Sequence, residues 1–393
     1  MYKRQALRRP TCWVHLKRSA SMWMTAASML SMLSRSRVSS SRTAGSTSPS
    51  AALLVVMGDQ PTARARARAA WSASGALPRA GPYSGTGFWG ALRGCDVVNG
   101  GPVEHGYPHL ETVRESVTAL YKRLSYDTVR TFSVSVAPAD VAFCDTDDLH
   151  LGSQRVAREM VRHYRLPDAR LIVGFREMTH AANVELAAGP EYFIELNDRF
   201  RTHRRDIGAA LAHEVAHVYL HRLGLSFPGT RENEILTDTT ATYLGAGWLL
   251  LDAFREDGAS SQKLGYLTPE EFGYVLAKRS LLFGEDPSVW FTSPQAYTAY
   301  GKGLAMARRD GEQPPLRSAG WAGRRRYARD RRHAEDRSVA ERGRRDVAYR
   351  FTGGDPLRVS FPCPTCHQRI RVPVKGRVRA RCGLCRTVLE CDT

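Results

Sequence analysis

The sequence lacks any hydrophobic run long enough to cross a membrane, because no stretch approaches about 18 consecutive apolar residues. The most apolar stretch near the N-terminus, Ser21–Leu33, is short and rich in serine. The basic residues before it give it only a weak likeness to a signal peptide. We therefore predict no membrane span.

Acidic residues are scarce at both ends of the chain. Residues 1–95 hold 14 lysines and arginines but one acid, residues 317–350 hold 12 arginines and five acids, and residues 351–393 hold eight basic and three acidic residues. The intervening residues 96–316 hold 23 basic and 30 acidic residues. The net charge of +18 therefore belongs to the ends, and it does not indicate that the central region binds a polyanion.

Cysteine is also scarce, with eight in 393 residues, which argues against a disulfide framework. Four cysteines form two Cys-x-x-Cys pairs, Cys363/Cys366 and Cys382/Cys385, with fifteen residues between the pairs. This spacing is typical of a four-cysteine zinc site. The other four are scattered and need no pairing, so a reducing, cytoplasmic compartment is expected.

Residues 1–104 show no sustained hydrophobic periodicity and are rich in serine, alanine, arginine and glycine. The opening Met1-Tyr2-Lys3-Arg4-Gln5 resembles a translated sequencing adapter, so the start of the chain could be mis-assigned. We predict a disordered or mis-assigned region here. An organelle transit peptide is the alternative, because such segments are rich in arginine and serine and poor in acids.

From His105 onward the apolar spacing predicts an α+β domain over residues 105–310. Two short strands are predicted at Leu171–Phe175 and Tyr192–Leu196. We expect Gly224 to end the helix Asp206–Leu223 and Thr268 to cap the helix Pro269–Leu282. The predicted helices are Glu111–Leu124, Ser153–Tyr164, Asp206–Leu223, Glu232–Phe254 and Pro269–Leu282.

An arginine-rich linker over residues 311–354, solvated or partly helical, precedes a small module over residues 355–393. Two strands are predicted between its Cys-x-x-Cys pairs, at Arg369–Val374 and Arg377–Arg381. The module resembles a zinc ribbon, too small to bury a core, so we expect a structural zinc to supply its folding free energy. Phosphate contact is one role for its exposed arginines and a protein partner is another. These arginines are Arg369, Arg371, Arg377, Arg379 and Arg381.

The motif His213-Glu214-Val215-Ala216-His217 lies within the predicted helix Asp206–Leu223. Residues four apart share a helix face, so both imidazoles can reach one metal ion while Glu214 lies beside it. Two surface histidines with an incidental glutamate are the alternative. Seventeen residues after His217, Glu234 offers a third ligand, and Asp238 follows one turn later. A catalytic zinc needs three protein ligands and one open position.

The two motifs together, His-Glu-x-x-His and Asn233-Glu234-Ile235-Leu236-Thr237-Asp238, resemble those of the gluzincin metallopeptidases, the thermolysin-like group. The resemblance covers about thirty residues. It implies a zincin-like fold with a short sheet, a catalytic zinc on His213, His217 and Glu234, and a peptide or protein substrate. It also implies that Glu214 is the general base and that Asp238 orients the first histidine.

Some features of that family are not identified here. No distal histidine or tyrosine that would stabilise the oxyanion stands out, and Tyr219 and Tyr243 are interpreted as packing residues. His221 lies a further turn of about 5.4 Å along the helix, too far to be a ligand. Glu232 is in principle an alternative to Glu234 as the third metal ligand. The strand Tyr192–Leu196 is expected at a sheet edge, where an extended peptide could bind.

The sequence thus predicts a zinc metallopeptidase with one catalytic and one structural zinc. A non-catalytic zinc-binding regulator, whose basic ribbon contacts nucleic acid or a protein partner, is the alternative from another class. A hydrolase of non-peptide amides would use the same residues. The retained Glu214 favours catalysis, because a purely structural site needs no base.

Overall fold

The computed structural model describes residues 97–99, 103–144, 146–256, 261–336 and 348–393. The predicted N-terminal region, residues 1–104, therefore lies almost wholly outside the described residues, as does part of the predicted linker. The described residues belong to one compact unit. Among the described residues, no helix has both the length and the apolar character needed to cross a membrane.

The described residues form an α+β structure of helices and several small sheets. The α-helices are α1 (Leu110–Arg130), α2 (Pro138–Val141), α3 (Leu149–His163), α4 (Ile207–Leu223), α5 (Thr230–Tyr243), α6 (Trp248–Asp252), α7 (Pro269–Phe283), α8 (Pro294–Gly311) and α9 (Trp321–Asp336). The strands are β1 (Val97–Asn99), β2 (Arg170–Arg176), β3 (Ala182–Val184), β4 (Glu191–Asn197), β5 (Arg255–Glu256), β6 (Ser261–Leu264), β7 (Arg350–Thr352), β8 (Arg358–Pro362), β9 (Arg369–Pro373), β10 (Arg377–Arg381) and β11 (Val388–Asp392).

Two helix boundaries follow the expected chemistry. Helix α4 ends where Gly224 adopts a left-handed conformation, with φ 58° and ψ 38°, which glycine reaches without steric cost. Helix α7 begins with a capping box, in which the Thr268 side chain accepts from the Glu271 amide and the Glu271 side chain accepts from the Thr268 amide. Both boundary predictions are confirmed.

The predicted long helix over residues 232–254 is wrong, because it is divided into α5 and α6. Gly245 has a φ of 107°, and a Cβ there would lie 3.0 Å from the Cα of Ser135 and 3.1 Å from the Arg279 guanidinium. Periodicity could not reveal this break, since both halves are apolar. Gly245 thus lies in the break between α5 and α6, where its backbone packs closely against Ser135 and Arg279.

The first sheet has the order β2-β4-β3, with β4 parallel to β2 and antiparallel to β3. The expectation that the strand around Tyr192–Leu196 forms a sheet edge is wrong, because β4 is the central strand. Both of its backbone edges are occupied over residues 193–196, so no peptide strand can be added there. Strands β3 and β4 contact α4, and β2 contacts α3. The sheet therefore covers one side of the helix that carries the histidines.

Helix α4 is the centre of the core. Its residues 207–220 are buried on every side, as expected for a helix surrounded by other elements rather than lying at a surface. Helices α3, α5 and α6 pack against it in addition to the sheet. The side chains at positions 213, 214 and 217 are thus held inside a packed core.

The C-terminal module contains two small sheets, β7-β8-β9 and β10-β11. The two predicted strands form at β9 and β10, but each pairs with a different neighbour. Contrary to the expectation of a coreless module, Val359, Phe361, Ile370, Val372 and Leu389 are buried. Part of this core comes from the predicted linker, whose helix α9 places the ring of Tyr327 against those of Tyr349 and Phe351.

Candidate metal centres

Helix α4 places two imidazoles side by side. The Nε2 atoms of His213 and His217 lie 3.0 Å apart, as their four-residue spacing allows. His213 is fully buried and His217 is 7% exposed. The pair therefore points into the interior, and these are not surface histidines.

Helix α5 adds a carboxylate to this pair. The Oε2 atom of Glu234 lies 3.1 Å from Nε2 of His213 and 3.2 Å from Nε2 of His217. Glu234 is fully buried, and its Oε1 atom has no hydrogen-bond partner among the described residues. The three residues form a group whose ligand atoms all lie within 4.8 Å of one another, and we call it the His/Glu centre.

The opposite nitrogen of each imidazole is held by α5. Nδ1 of His213 lies 2.8 Å from Oδ1 of Asp238, and Nδ1 of His217 lies 3.2 Å from the Thr237 hydroxyl. Because that hydroxyl donates to the Asn233 carbonyl at 2.9 Å, it accepts from His217. Both imidazoles are thus held with the proton on Nδ1 and a lone pair on Nε2.

Two lone pairs and a carboxylate oxygen, all 3.0–3.2 Å apart, repel one another unless a cation lies between them. A tetrahedral zinc with bonds of about 2.0–2.1 Å would place its ligands about 3.3 Å apart, close to the observed spacing. The donor set of two imidazoles and one carboxylate therefore fits a zinc ion.

Asp238 is itself supported by the turn after β6. Its Oδ2 atom accepts from the amides of Tyr266, at 2.5 Å, and Leu267, at 3.1 Å. Gly265, with a φ of 87°, permits this approach, because a Cβ there would lie 2.7 Å from both carboxylate oxygens. The sequence reasoning missed Gly265 and Thr237. Neither has a signal of its own without knowledge of which elements pack on α5.

Asn233, which precedes the ligand Glu234 in the motif, bonds to the loop between α4 and α5. Its Oδ1 accepts from the Phe227 amide at 2.8 Å, and its Nδ2 donates to the Gly229 carbonyl at 2.8 Å. These bonds hold the loop that joins α4 to α5. Asn233 therefore helps to set how the two ligand-bearing helices approach each other.

The remaining candidates near the centre fall into three groups. Glu214 is fully buried and directly follows His213. His221 and Glu232 are exposed and lie outside the His/Glu centre. Tyr219 packs against the ring of Phe132, and Tyr243 bonds Tyr121 through its hydroxyl at 3.0 Å. Both tyrosines therefore make packing contacts with residues of other elements.

Comparison with known proteins adds no relative. No protein family, curated protein or solved structure matches this chain.

The second centre consists of the four predicted cysteines, all fully buried. Sγ of Cys363 lies 3.5 Å from Sγ of Cys385, and Sγ of Cys366 lies 3.5 Å from Sγ of Cys382. Both pairs sit in the same kind of turn. His367 and Arg386, each directly after its pair, have φ values of 57° and 62°. The cluster is a ribbon-like site able to hold a metal ion with four thiolates.

The first of these turns docks on the helical domain. The Thr118 hydroxyl donates to the Cys366 carbonyl, and Nζ of Lys278 donates to the Pro364 carbonyl. Lys278 also pairs with Asp310 at 2.9 Å, and both are buried. His367 lies 3.0 Å from the Tyr274 hydroxyl. A buried polar network thus joins the ribbon to α1, α7 and α8.

Proposed function

We propose that this protein is a zinc-dependent hydrolase, most specifically a gluzincin-like metallopeptidase with a zincin-like fold. His213, His217 and Glu234 would hold the catalytic zinc. The observation that carries the proposal is the triangle of three lone-pair atoms at 3.0–3.2 Å, with a second carboxylate, Glu214, buried one residue after His213. Asp238 and Thr237 would keep both imidazoles in the ligating tautomer.

The proposed chemistry uses few groups of the protein. A zinc ion on this donor set would lower the pKa of a water molecule and polarise a carbonyl group. Glu214 would accept the proton of the attacking water and return it to the departing amine, because it is the carboxylate next to the ligands but outside the triangle. Because Glu214 is fully buried, its carboxylate is shielded from bulk solvent.

Substrate would approach from the side of His217, the ligand with measurable exposure. A surface cleft of about 440 Å³ lies at the C-terminal end of α4, between His221 and the loop before β4. None of its lining residues belongs to the His/Glu centre, so it is separate from the proposed substrate site.

The four-cysteine centre would hold a structural zinc. The four cysteines would hold the ion with four sulfur ligands, which would leave no position for a substrate. The docking network joins this module to the helical domain. We propose that the ribbon zinc stabilises the chain and takes no part in hydrolysis.

The decisive experiment compares the full-length wild type with Glu214→Gln. We expect two zinc ions per chain in both proteins, measured by atomic emission. Cleavage of a mixed peptide library, followed by mass spectrometry, should fall by about 10²–10⁴-fold in the variant, because a general base contributes on this scale.

Glu232→Gln is the matched control, because Glu232 is an exposed glutamate on the adjacent helix and should change neither readout. Equal cleavage by wild type and Glu214→Gln would refute the mechanism. Full zinc loading without cleavage of any peptide by the wild type would favour the non-catalytic alternative. Cleavage of simple acyl amides but not peptides would indicate the third class.

A further inference from the structure

One surface of the ribbon concentrates arginine. In sheet β7-β8-β9, side chains alternate between two faces. One face is packed inward and carries Val359, Phe361, Ile370 and Val372. The other carries four exposed arginines, which we call the arginine face. They are Arg350, Arg358, Arg369 and Arg371.

Strand register shows that these four side chains share a face. Arg350 pairs with Ser360, and Ser360 pairs with Arg371, so the three lie in one row across the sheet. Arg358 and Arg369 each lie two residues along their strand from a member of this row and therefore point the same way. Arg369 also reaches the Ser360 hydroxyl at 3.4 Å.

None of the four arginines forms an ion pair with a carboxylate within the part of the chain that the structure describes. Partial burial lowers the pKa of Arg369, and the nearby charge of Arg350 lowers it further. Strand β10 belongs to the other sheet, where Arg377 and Arg379 lie opposite Asp392 and Glu390, whose carboxylates form ion pairs with Arg324 and Arg317. The set of arginines named from the sequence therefore changes: Arg350 and Arg358 enter it, and the three β10 arginines, Arg377, Arg379 and Arg381, leave it.

We propose that the arginine face binds the phosphate backbone of a nucleic-acid duplex. Four guanidinium groups without counter-charges favour a partner with closely spaced anions. Between them the face carries the hydroxyl groups of Thr352 and Ser360, which are common partners of phosphate oxygens. This function is separate from hydrolysis and does not depend on the His/Glu centre.

The composition of the face distinguishes a duplex from other polyanions. It carries no aromatic side chain, and single-stranded nucleic acids are normally held by stacking on aromatic rings. It also carries no large apolar side chain of the kind that anchors a protein partner or inserts into a membrane surface. Contact with phosphates alone predicts binding without sequence preference and with a strong salt dependence.

The test measures binding of the full-length chain to a fluorescent DNA duplex of arbitrary sequence, by anisotropy across a salt series. The variant replaces Arg350, Arg358, Arg369 and Arg371 with glutamine. If all four contact phosphates, the slope of log K against log salt should become less negative by about 3.6. Between roughly 50 and 200 mM salt, wild-type affinity should then fall about 150-fold more than that of the variant.

The matched control removes the same charge from four exposed arginines that already pair with carboxylates: Arg162, Arg170, Arg176 and Arg201. It should keep the wild-type slope. A second variant with lysine at the four face positions should also keep it, and it reports whether the sheet tolerates substitution. Full zinc content and an unchanged melting temperature confirm folding.

Equal loss of slope in the glutamine variant and in its control would overturn the proposal, because net charge and not the face would then govern binding. An unchanged slope in the glutamine variant would overturn it as well. The same holds if wild type binds anionic vesicles or a single strand more tightly than the duplex. An RNA duplex in place of DNA shows which backbone form is preferred.

Discussion

The two candidate metal centres of this chain are built in opposite ways. The four-cysteine centre takes its ligands from two short turns of the same kind, each closed within a few residues. The His/Glu centre takes three ligands from two long helices, and further residues on α5 orient both imidazoles. One site is assembled locally, and the other by the packing of α4 against α5.

The two ligand sets imply different roles for the two metal ions. Four sulfur ligands leave a tetrahedral ion closed, whereas three ligands leave one position for a water molecule or a substrate. The surroundings agree with this division. Polar side chains orient the imidazoles of the His/Glu centre. The neighbours of the ribbon centre instead attach it to the helical domain. Three substitutions test this division of roles.

The largest effect is expected from Cys382→Ser, which removes one ligand of the closed centre. The chain should retain one of two zinc ions and lose much stability, since structural zinc sites contribute apparent binding free energies on the order of 10 kcal/mol. Zinc analysis and thermal unfolding measure this. Cys391→Ser is the matched control, because Cys391 is buried in β11 outside the cluster and should keep both ions. Loss of both ions in Cys382→Ser would show that the centres are interdependent.

A smaller effect is expected from Asp238→Asn in the other centre. The substitution keeps the shape but removes the charge that holds Nδ1 of His213, so zinc affinity should fall about 10–100-fold. Competition with a chelator measures the affinity. The ribbon zinc should be unaffected, and the variant should fold. An unchanged affinity would mean that Asp238 serves only to hold the turn at Tyr266.

The smallest effect is expected from Thr237→Val, which removes a neutral acceptor from His217. Zinc affinity should fall about tenfold, at the lower end of the range for orienting partners. Thr240→Val is the matched control, because both hydroxyls bond the carbonyl four residues earlier, yet only Thr237 meets a ligand. Equal losses in both variants would show that the helix itself, and not the imidazole contact, is responsible.

Sequence patterns predicted the local parts of the fold well. The end of α4 at Gly224 and the start of α7 at Thr268 depend on a few neighbouring residues and were predicted correctly. The order of the strands and the break at Gly245 were not. Strand order depends on which surfaces pack together, and the break occurs within apolar sequence that looks continuous.

The ligands of both centres can be predicted from the sequence, because ligand spacing within a helix or a tight turn is a local property. The contact of Thr237 with His217, the approach of the Gly265 turn to Asp238 and the shared face of four ribbon arginines depend on the tertiary structure. These relations join residues from different elements. They exist only after the helices and strands have packed, and no pattern along the chain encodes them directly.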